Sequence, residues 1–119
     1  ASFCVAECLM TIAASSPEVG RGTNNVHVRN FRPAVGVSES AAAGTTNAAL
    51  AAYLLRNSRI HADREGKVQV RAEQGRELGR SSIIITRIKI KDERITRLQV
   101  GGVASRVIEG VLNVNMSTS

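Results

Sequence analysis

The middle of the chain has an unusually continuous apolar pattern. Residues 48–55, which read Ala-Ala-Leu-Ala-Ala-Tyr-Leu-Leu, leave no polar stripe before Arg56. A helix on a protein surface keeps polar residues opposite its buried face. We therefore predict a helix that ends at Asn57-Ser58 and is surrounded by the rest of the fold.

Two-residue alternation predicts strands on both sides of this helix. In "KVQVRAEQG", Val68, Val70 and Ala72 alternate with polar residues, which is the period of a half-buried strand. The segment "KDER" suits a hairpin turn between the two strands that flank it. Ser15-Ser16-Pro17, with the glycines that follow, predicts a loop. The predicted strands cover, in chain order, residues 2–14, 26–31, 67–73, 82–90, 95–100 and 103–114, the last one bent at Gly110.

These elements predict one domain, residues 1–119, of the α+β class. The chain is 43% hydrophobic and only 3% aromatic, so Val, Ile, Leu and Ala must fill its core. A curved, mostly antiparallel sheet wrapped around one central apolar helix would explain why that helix has no polar face. No apolar run approaches the roughly 20 residues that span a bilayer, so we expect a cytoplasmic protein without a membrane contact.

The net charge of +6 raises the possibility of a nucleic-acid partner. In "IIITRIKIK", however, Arg87, Lys89 and Lys91 alternate with isoleucines, as the solvated face of a half-buried strand does. No aromatic residue interleaves with these cations, so bases have no stacking platform. We therefore do not expect nucleic acid, although a basic partner-binding surface that includes Arg97 stays as an alternative.

The two cysteines give no sign of a metal or redox site. If Cys4 and Cys8 lie on one strand, they are about 13 Å apart, which is too far for a disulfide. A lone C-x-x-x-C without a nearby histidine is a poor metal signal. We expect structural thiols, no metal and no cofactor.

Three blocks resemble the C-terminal half of the PhzF-like (phenazine biosynthesis-like) isomerases, which are relatives of the diaminopimelate epimerase fold. The blocks are "RNFRPAVGVSESAAAGTTNAALAAYL", "QGRELGRSS" and "LQVGGVASRVIEGVL". The first block matches the family's Arg, Phe, Pro and Gly followed by Glu-Asp-Pro-x-Thr-Gly-Ser-Ala; its matching residues are Arg29, Phe31, Pro33, Gly36, Glu39 and Gly44. The second block matches Gln-Gly-x-x-Met-Gly-Arg-Pro-Ser, and the third matches the closing Val-Gly-Gly strand.

The resemblance implies a cofactor-free fold of two similar halves with the active cleft between them. In that family the start of the central helix faces the cleft, and its free backbone N–H groups hold a substrate carboxylate. The ligand-binding residues that this implies here are Glu39, Ser40, Gly44, Thr45 and Thr46. The alternative interpretation is that Thr45 or Thr46 simply caps the helix.

The departures from the family pattern concern proton transfer. Family members with acid-base chemistry place an Asp directly after the motif's Glu, where this chain has Ser40, and the related epimerases place a Cys before the Gly-Thr of the helix, where it has Ala43. Glu39 remains, but it can pair with Arg29 or Arg80 as well as carry a proton. We therefore assign no residue a catalytic role, and we favour a protein that is not an enzyme.

Three functions follow as hypotheses. The first is a stand-alone half-domain that binds a small carboxylate at the helix start without catalysis. The second is a cofactor-independent isomerase or epimerase whose cleft is shared across a homodimer. The third is the basic nucleic-acid or protein-binding module. Because a single half should expose the surface that its other half covers, we predict a homo-oligomer, at least a dimer.

Overall fold

All strands that the structure describes belong to one sheet, with a single helix packed against it. The computed structural model describes residues 2–3, 12–17, 24–33 and 36–115. The elements in chain order are β1 (Ser2–Phe3), β2 (Ile12–Pro17), β3 (Asn24–Arg32), β4 (Val37–Ser40), α1 (Gly44–Arg56), β5 (Lys67–Gln74), a 3₁₀ turn (Arg76–Leu78), β6 (Ser82–Lys91) and β7 (Arg94–Gly101). Of the predicted strands, those that became β3, β5, β6 and β7 are confirmed.

The sheet is mixed, and its one parallel pairing among the described residues follows from the position of the helix. The strand order is β1-β2-β3-β5-β6-β7, and β4 pairs separately with β3. β3 and β5 are parallel, whereas the other paired strands are antiparallel. Parallel neighbours need a crossover connection, which here contains α1. The predicted α+β class and the mostly antiparallel sheet are therefore confirmed.

The core lies between α1 and one face of the sheet. Val68, Val70 and Ala72 are only 2–4% exposed, so the alternation in β5 correctly identified its buried face. The turn "KDER" is also confirmed, because β6 and β7 pair directly across Asp92 and Glu93. The other buried apolar residues are Val26, Val28, Ala51, Ile60, Ile84 and Ile88.

The prediction that the helix is surrounded is wrong for the described part of the chain. Ala51 is fully buried, but Tyr53 is 45% exposed and Ala49 is also exposed. The sheet covers one side of α1, with Leu50, Leu54 and Leu55 packed against the core. Alanine is small enough to be tolerated on either side of a helix, so an Ala-rich sequence hides the boundary between the buried and the exposed face.

The single strand predicted over residues 2–14 is also wrong. β1 pairs antiparallel with β2, with Ser2 opposite Ser15, so the chain reverses direction between them. Ser15 to Pro17 lie in β2 and not in a loop. The residues on both sides of the reversal are mostly apolar. The hydrophobic pattern therefore does not show that the chain reverses its direction. The reversal lies outside the described residues.

The predicted last strand, Val103 to Val114, has no counterpart in the structure. Residues 102–115, which we call the C-terminal arm, have no regular secondary structure and are exposed throughout. Its large apolar side chains are 69–100% exposed; they are Val103, Val107, Ile108, Val111, Leu112 and Val114. A strand exists only by pairing, and nothing within the described chain pairs with this arm.

Among all the residues that the structure describes, no helix has the length and apolar character needed to cross a membrane.

Candidate functional site

The helix starts without a side-chain cap. α1 begins at Gly44 with Ala43 in the cap position, no side chain of the described residues caps it, and its first turn contains no acidic residue. The first intrahelical bond runs from the Asn47 N–H to the Ala43 carbonyl, at 3.1 Å. The backbone N–H groups of Gly44, Thr45 and Thr46 precede that bond and have no intrahelical acceptor. The alternative that Thr45 or Thr46 caps the helix is therefore wrong.

A buried glutamine fixes the chain that leads into the helix. Gln74 at the end of β5 is fully buried; its amide NH₂ donates to the Ser40 carbonyl at 2.8 Å, and its Oε1 accepts from the Asn47 side chain at 2.8 Å. The Ser82 hydroxyl donates to the Ala41 carbonyl at 2.8 Å. The ends of β5 and β6 therefore hold the segment between β4 and α1 in position.

Close backbone contact completes this arrangement at Gly75. The residue has φ of +86°, and a Cβ placed there would lie 2.3 Å from the Arg80 carbonyl oxygen and 2.6 Å from that of Ala41. Only glycine combines this left-handed backbone with so close an approach. Gly75 belongs to the second block that resembles the isomerase family, "QGRELGRSS". This block therefore holds the start of α1 in position.

Two buried asparagines lie beside the first turn of the helix. Asn30 is 1% exposed and donates through Nδ2 to the Thr46 hydroxyl at 3.3 Å, and Asn47 is 2% exposed. The Oδ1 atoms of both have no hydrogen-bond partner among the described residues. A buried acceptor without a donor costs about 1–3 kcal/mol. The backbone N–H groups of residues 44–46 and these two amide oxygens are called the helix-start site below.

The sequence pattern contained an overlooked signal for Asn30. It follows Val26 and Val28 at the same two-residue spacing, so alternation places it on the buried face of β3. A polar residue in an otherwise apolar row is a candidate functional residue. Gln74 gave the same signal, because it follows Val68, Val70 and Ala72 at this spacing in β5. Asn47 gave no comparable signal, because its burial depends on how β5 meets α1.

The structure brings most of the predicted ligand-binding residues together but separates Glu39 from them. Gly44 and Thr45 are exposed at the helix start, and Thr46 contacts Asn30. The Ser40 hydroxyl donates locally to the Ala42 carbonyl at 3.0 Å. Ser40 is opposite Asn30 and Glu39 is opposite Phe31, so successive positions of β4 direct Glu39 to the other face of the sheet.

On that other face Glu39 forms an ion pair with Arg29. Arg29 donates from Nε and NH2 to the two carboxylate oxygens at 2.9 and 3.0 Å, and it lies 5.0 Å from the centroid of the Phe31 ring. The Glu39 side chain is only 8% exposed. His27 also contacts Glu77 through Nε2 at 2.6 Å. This face therefore carries a structural cluster of charges in which Arg29, and not Arg80, is the partner of Glu39.

The ion pair predicts a specific pH dependence of stability. The two hydrogen bonds from Arg29 lower the pKa of the Glu39 carboxyl below its usual value. The pair therefore stabilises the fold fully above the unfolded pKa of about 4.3, and its contribution is lost as the pH falls through the lower folded pKa. Between pH 5 and pH 3, the unfolding free energy of Glu39→Gln should fall less steeply than that of the wild type.

Urea unfolding at several pH values measures this difference. Glu93→Gln is the matched control, because Glu93 lies exposed in the β6–β7 turn. Equal slopes for the wild type and Glu39→Gln would contradict the role given to the ion pair, and the Glu93→Gln slope should match the wild type.

No metal site emerges within the described ranges. They contain no group of three or more His, Cys, Asp or Glu side chains able to hold an ion. Cys4 and Cys8, which we expect to be structural thiols, lie outside the described residues. The chemistry available at the helix-start site is therefore hydrogen bonding to an anion by backbone donors and to a donor by two amide oxygens.

Comparison with known proteins relates the chain to a group of isomerases. The family model described as "Phenazine biosynthesis-like protein" matches residues 2–110. An uncharacterised isomerase of Clostridium acetobutylicum is 30% identical over 90 residues, and the uncharacterised isomerase YddE of Escherichia coli K12 is 31% identical over 88. These matches cover 76% and 73% of this chain.

A further relative has a more specific name. The trans-2,3-dihydro-3-hydroxyanthranilate isomerase of Pseudomonas chlororaphis is 38% identical over 74 residues, which is 62% of this chain. In all three comparisons the matched stretch is a minor part of the relative, between 25% and 30% of its length. The matched part of the chain thus covers less than a third of each of these proteins.

Proposed function

Because the chain belongs to the phenazine biosynthesis-like protein family, we propose that it forms one half of a diaminopimelate epimerase-like fold and binds a small carboxylate at the helix-start site. The observation that carries this proposal is the uncapped start of α1, where the N–H groups of Gly44, Thr45 and Thr46 have no acceptor among the described residues. The helix dipole adds a favourable field for negative charge at this position.

A second observation supports a ligand with more than a carboxylate. The Oδ1 atoms of Asn30 and Asn47 are buried acceptors beside the same turn and have no donor within the described chain. A hydroxyl or amino group next to the carboxylate would satisfy one of them. The relative from Pseudomonas chlororaphis is named for a hydroxylated carboxylate of this kind. Hydroxy and amino acids of small size are therefore the ligand class that we propose.

We propose binding without catalysis, because no proton carrier lies at the helix start among the residues that the structure describes. Ser40 and Ala43 are at the positions where the resembled isomerases and epimerases have Asp and Cys. A serine hydroxyl neither gains nor loses a proton near neutral pH, and alanine has no ionisable group. Glu39 cannot replace them from its position on the opposite face, where Arg29 holds its carboxylate.

The alternative function is an isomerase whose cleft is completed by a second copy. The exposed apolar side chains of the C-terminal arm favour this, because they need a covering surface. In such a dimer the partner would supply the acid and base that this chain's helix-start site lacks, and Ser40 and Thr45 would position the substrate. Isomerase activity of the purified chain that requires the dimer would establish this alternative over simple binding.

The test is a thermal-shift titration with malonate, anthranilate and 3-hydroxyanthranilate. Thr45→Pro removes one N–H group in the first helical turn, where proline is tolerated and no intrahelical bond is lost. We expect ligands to raise the Tm of the wild type and to raise that of Thr45→Pro much less. Thr45→Ala is the matched control, because it removes the hydroxyl and keeps the N–H.

The two variants separate the possible results. A full response in Thr45→Ala and a reduced response in Thr45→Pro support binding by the backbone. Equal responses from the wild type and a folded Thr45→Pro would remove the helix-start site from consideration.

A further inference from the structure

A second concave surface lies on the face of the sheet that is turned away from α1. It has a volume of about 620 Å³ and lies over β5, β6 and β7 at the end that contains Lys67, Lys89 and Arg97. Its size is that of a small-molecule site, since such sites occupy about 300–1,000 Å³. A smaller neighbouring concavity of about 370 Å³ shares Arg87 and Gln99 with it.

Strand register concentrates positive charge on this surface. Lys89 is directly opposite Arg97 on β7 and Lys67 on β5, so three cations form one row across three strands. Arg87 lies two residues from Lys89 on the same face, about 7 Å along β6. Like charges directly opposite each other destabilise a sheet. A row of this kind is therefore a cost to the fold that a bound anion would remove.

Three of these cations remain available for a ligand. Lys67 is bonded to Glu65. Asp63 also lines the concavity, and its carboxylate accepts the backbone N–H groups of Glu65 and Lys67. Arg87, Lys89 and Arg97 have no ion pair with any acidic residue in the described part of the chain, and they are called the cationic triangle. Gln69 accepts from the Arg87 Nε at 3.0 Å, which fixes the direction of that side chain.

We propose that the cationic triangle binds a compact oligophosphate, such as inorganic triphosphate or the triphosphate group of a nucleotide. The Cβ atoms of neighbouring cationic residues are about 5 Å apart across strands and about 7 Å apart along a strand. Three long cationic side chains that start at this spacing can converge on several linked phosphates, which carry more negative charge than a single carboxylate. A nucleic-acid strand fits less well, because no aromatic side chain lines the concavity to stack against bases.

Calorimetric titration of the full chain with inorganic triphosphate tests the proposal, with metal-free ATP as a second arm. We expect saturable binding that is weakened about tenfold or more by Lys89→Gln and by Arg97→Gln, since each removes one charge-assisted contact. Arg59→Gln is the matched control, because Arg59 is exposed after α1 and should leave the affinity unchanged. Thermal unfolding of each variant checks that it is folded.

The outcomes divide clearly. Tighter binding of ATP than of triphosphate assigns the site to nucleotides, and equal binding assigns it to the phosphates alone. The proposal is overturned if sulfate at equal ionic strength binds as well, or if Arg59→Gln weakens binding as much as Arg97→Gln. Tighter binding of a 20-nucleotide RNA through the same residues would overturn it in favour of a polymer. None of these results depends on the helix-start site.

Discussion

Gly75→Ala is expected to destabilise the chain by about 2–5 kcal/mol. The substitution forces alanine into a left-handed backbone, which costs about 1–2 kcal/mol. It also places a Cβ against the carbonyl oxygens of Arg80 and Ala41, so backbone must move at a further cost of about 1–3 kcal/mol. Because Ala41 leads into α1, the same shift should weaken carboxylate binding. Urea unfolding gives the stability, and the thermal-shift titration gives the binding.

Gly79→Ala is the matched control for this prediction. Gly79 also has a left-handed backbone, with φ of +67°, but a Cβ there meets nothing within 4 Å. It should cost only the backbone strain of about 1–2 kcal/mol and leave binding intact. Equal losses in both variants would show that close packing at Gly75 does not hold the helix start.

Charges that replace apolar side chains of the C-terminal arm are expected to weaken self-association strongly. We predict that the 119-residue chain dimerises at micromolar concentration through residues 102–115, which carry exposed large apolar side chains such as Val107 and Leu112. Burying one such side chain stabilises an interface by about 1.5–3 kcal/mol. Val107→Asp combined with Leu112→Asp should therefore raise the dimer dissociation constant at least about a hundredfold. Sedimentation velocity over a concentration series measures this.

The control carries the same charges at polar positions of the same arm. Ser105→Asp combined with Asn113→Asp adds two carboxylates without removing an apolar side chain, so it should weaken the dimer far less. A wild-type chain that sediments as a monomer at micromolar concentration would refute the dimer and the shared-cleft alternative. Equal weakening by both double variants would show that net charge, and not apolar burial, governs the association.

The sequence was sufficient for those elements whose evidence is local. The alternation of Val68, Val70 and Ala72 identified β5 and its buried face, and the polar segment at Asp92 identified the β6–β7 hairpin. The resemblance blocks correctly indicated the family and the exposed helix start at Gly44. In each case the feature can be identified from a continuous stretch of sequence: a two-residue period, a turn or a motif.

The sequence was insufficient wherever pairing between distant segments decides the outcome. The same apolar residues fit one long strand over residues 2–14 or a strand and its antiparallel partner, and only pairing distinguishes them. Val103 to Val114 have the composition of a strand but no partner within the described chain. Glu39 was grouped with Ser40 as a ligand residue, although successive positions of a strand face opposite sides.

The burial of the helix-start asparagines depends on similar long-range information. Asn47 is buried where α1 packs against the end of β5, and there Gln74, 27 residues away, accepts its hydrogen bond. No local pattern connects these two residues. Sequence motifs therefore indicated the start of α1 as a candidate site, whereas the buried amide oxygens beside it became visible only in the folded structure.

We propose that backbone N–H groups at the start of α1 bind a carboxylate, and amide NMR measures those groups directly. A ¹H–¹⁵N titration of the chain with 3-hydroxyanthranilate should produce saturable shifts at Gly44, Thr45 and Thr46, with smaller shifts along the cationic triangle. Saturable shifts at those three amides would agree with the account. Unchanged amides at residues 44–46, with shifts confined to Arg87, Lys89 and Arg97, would contradict it.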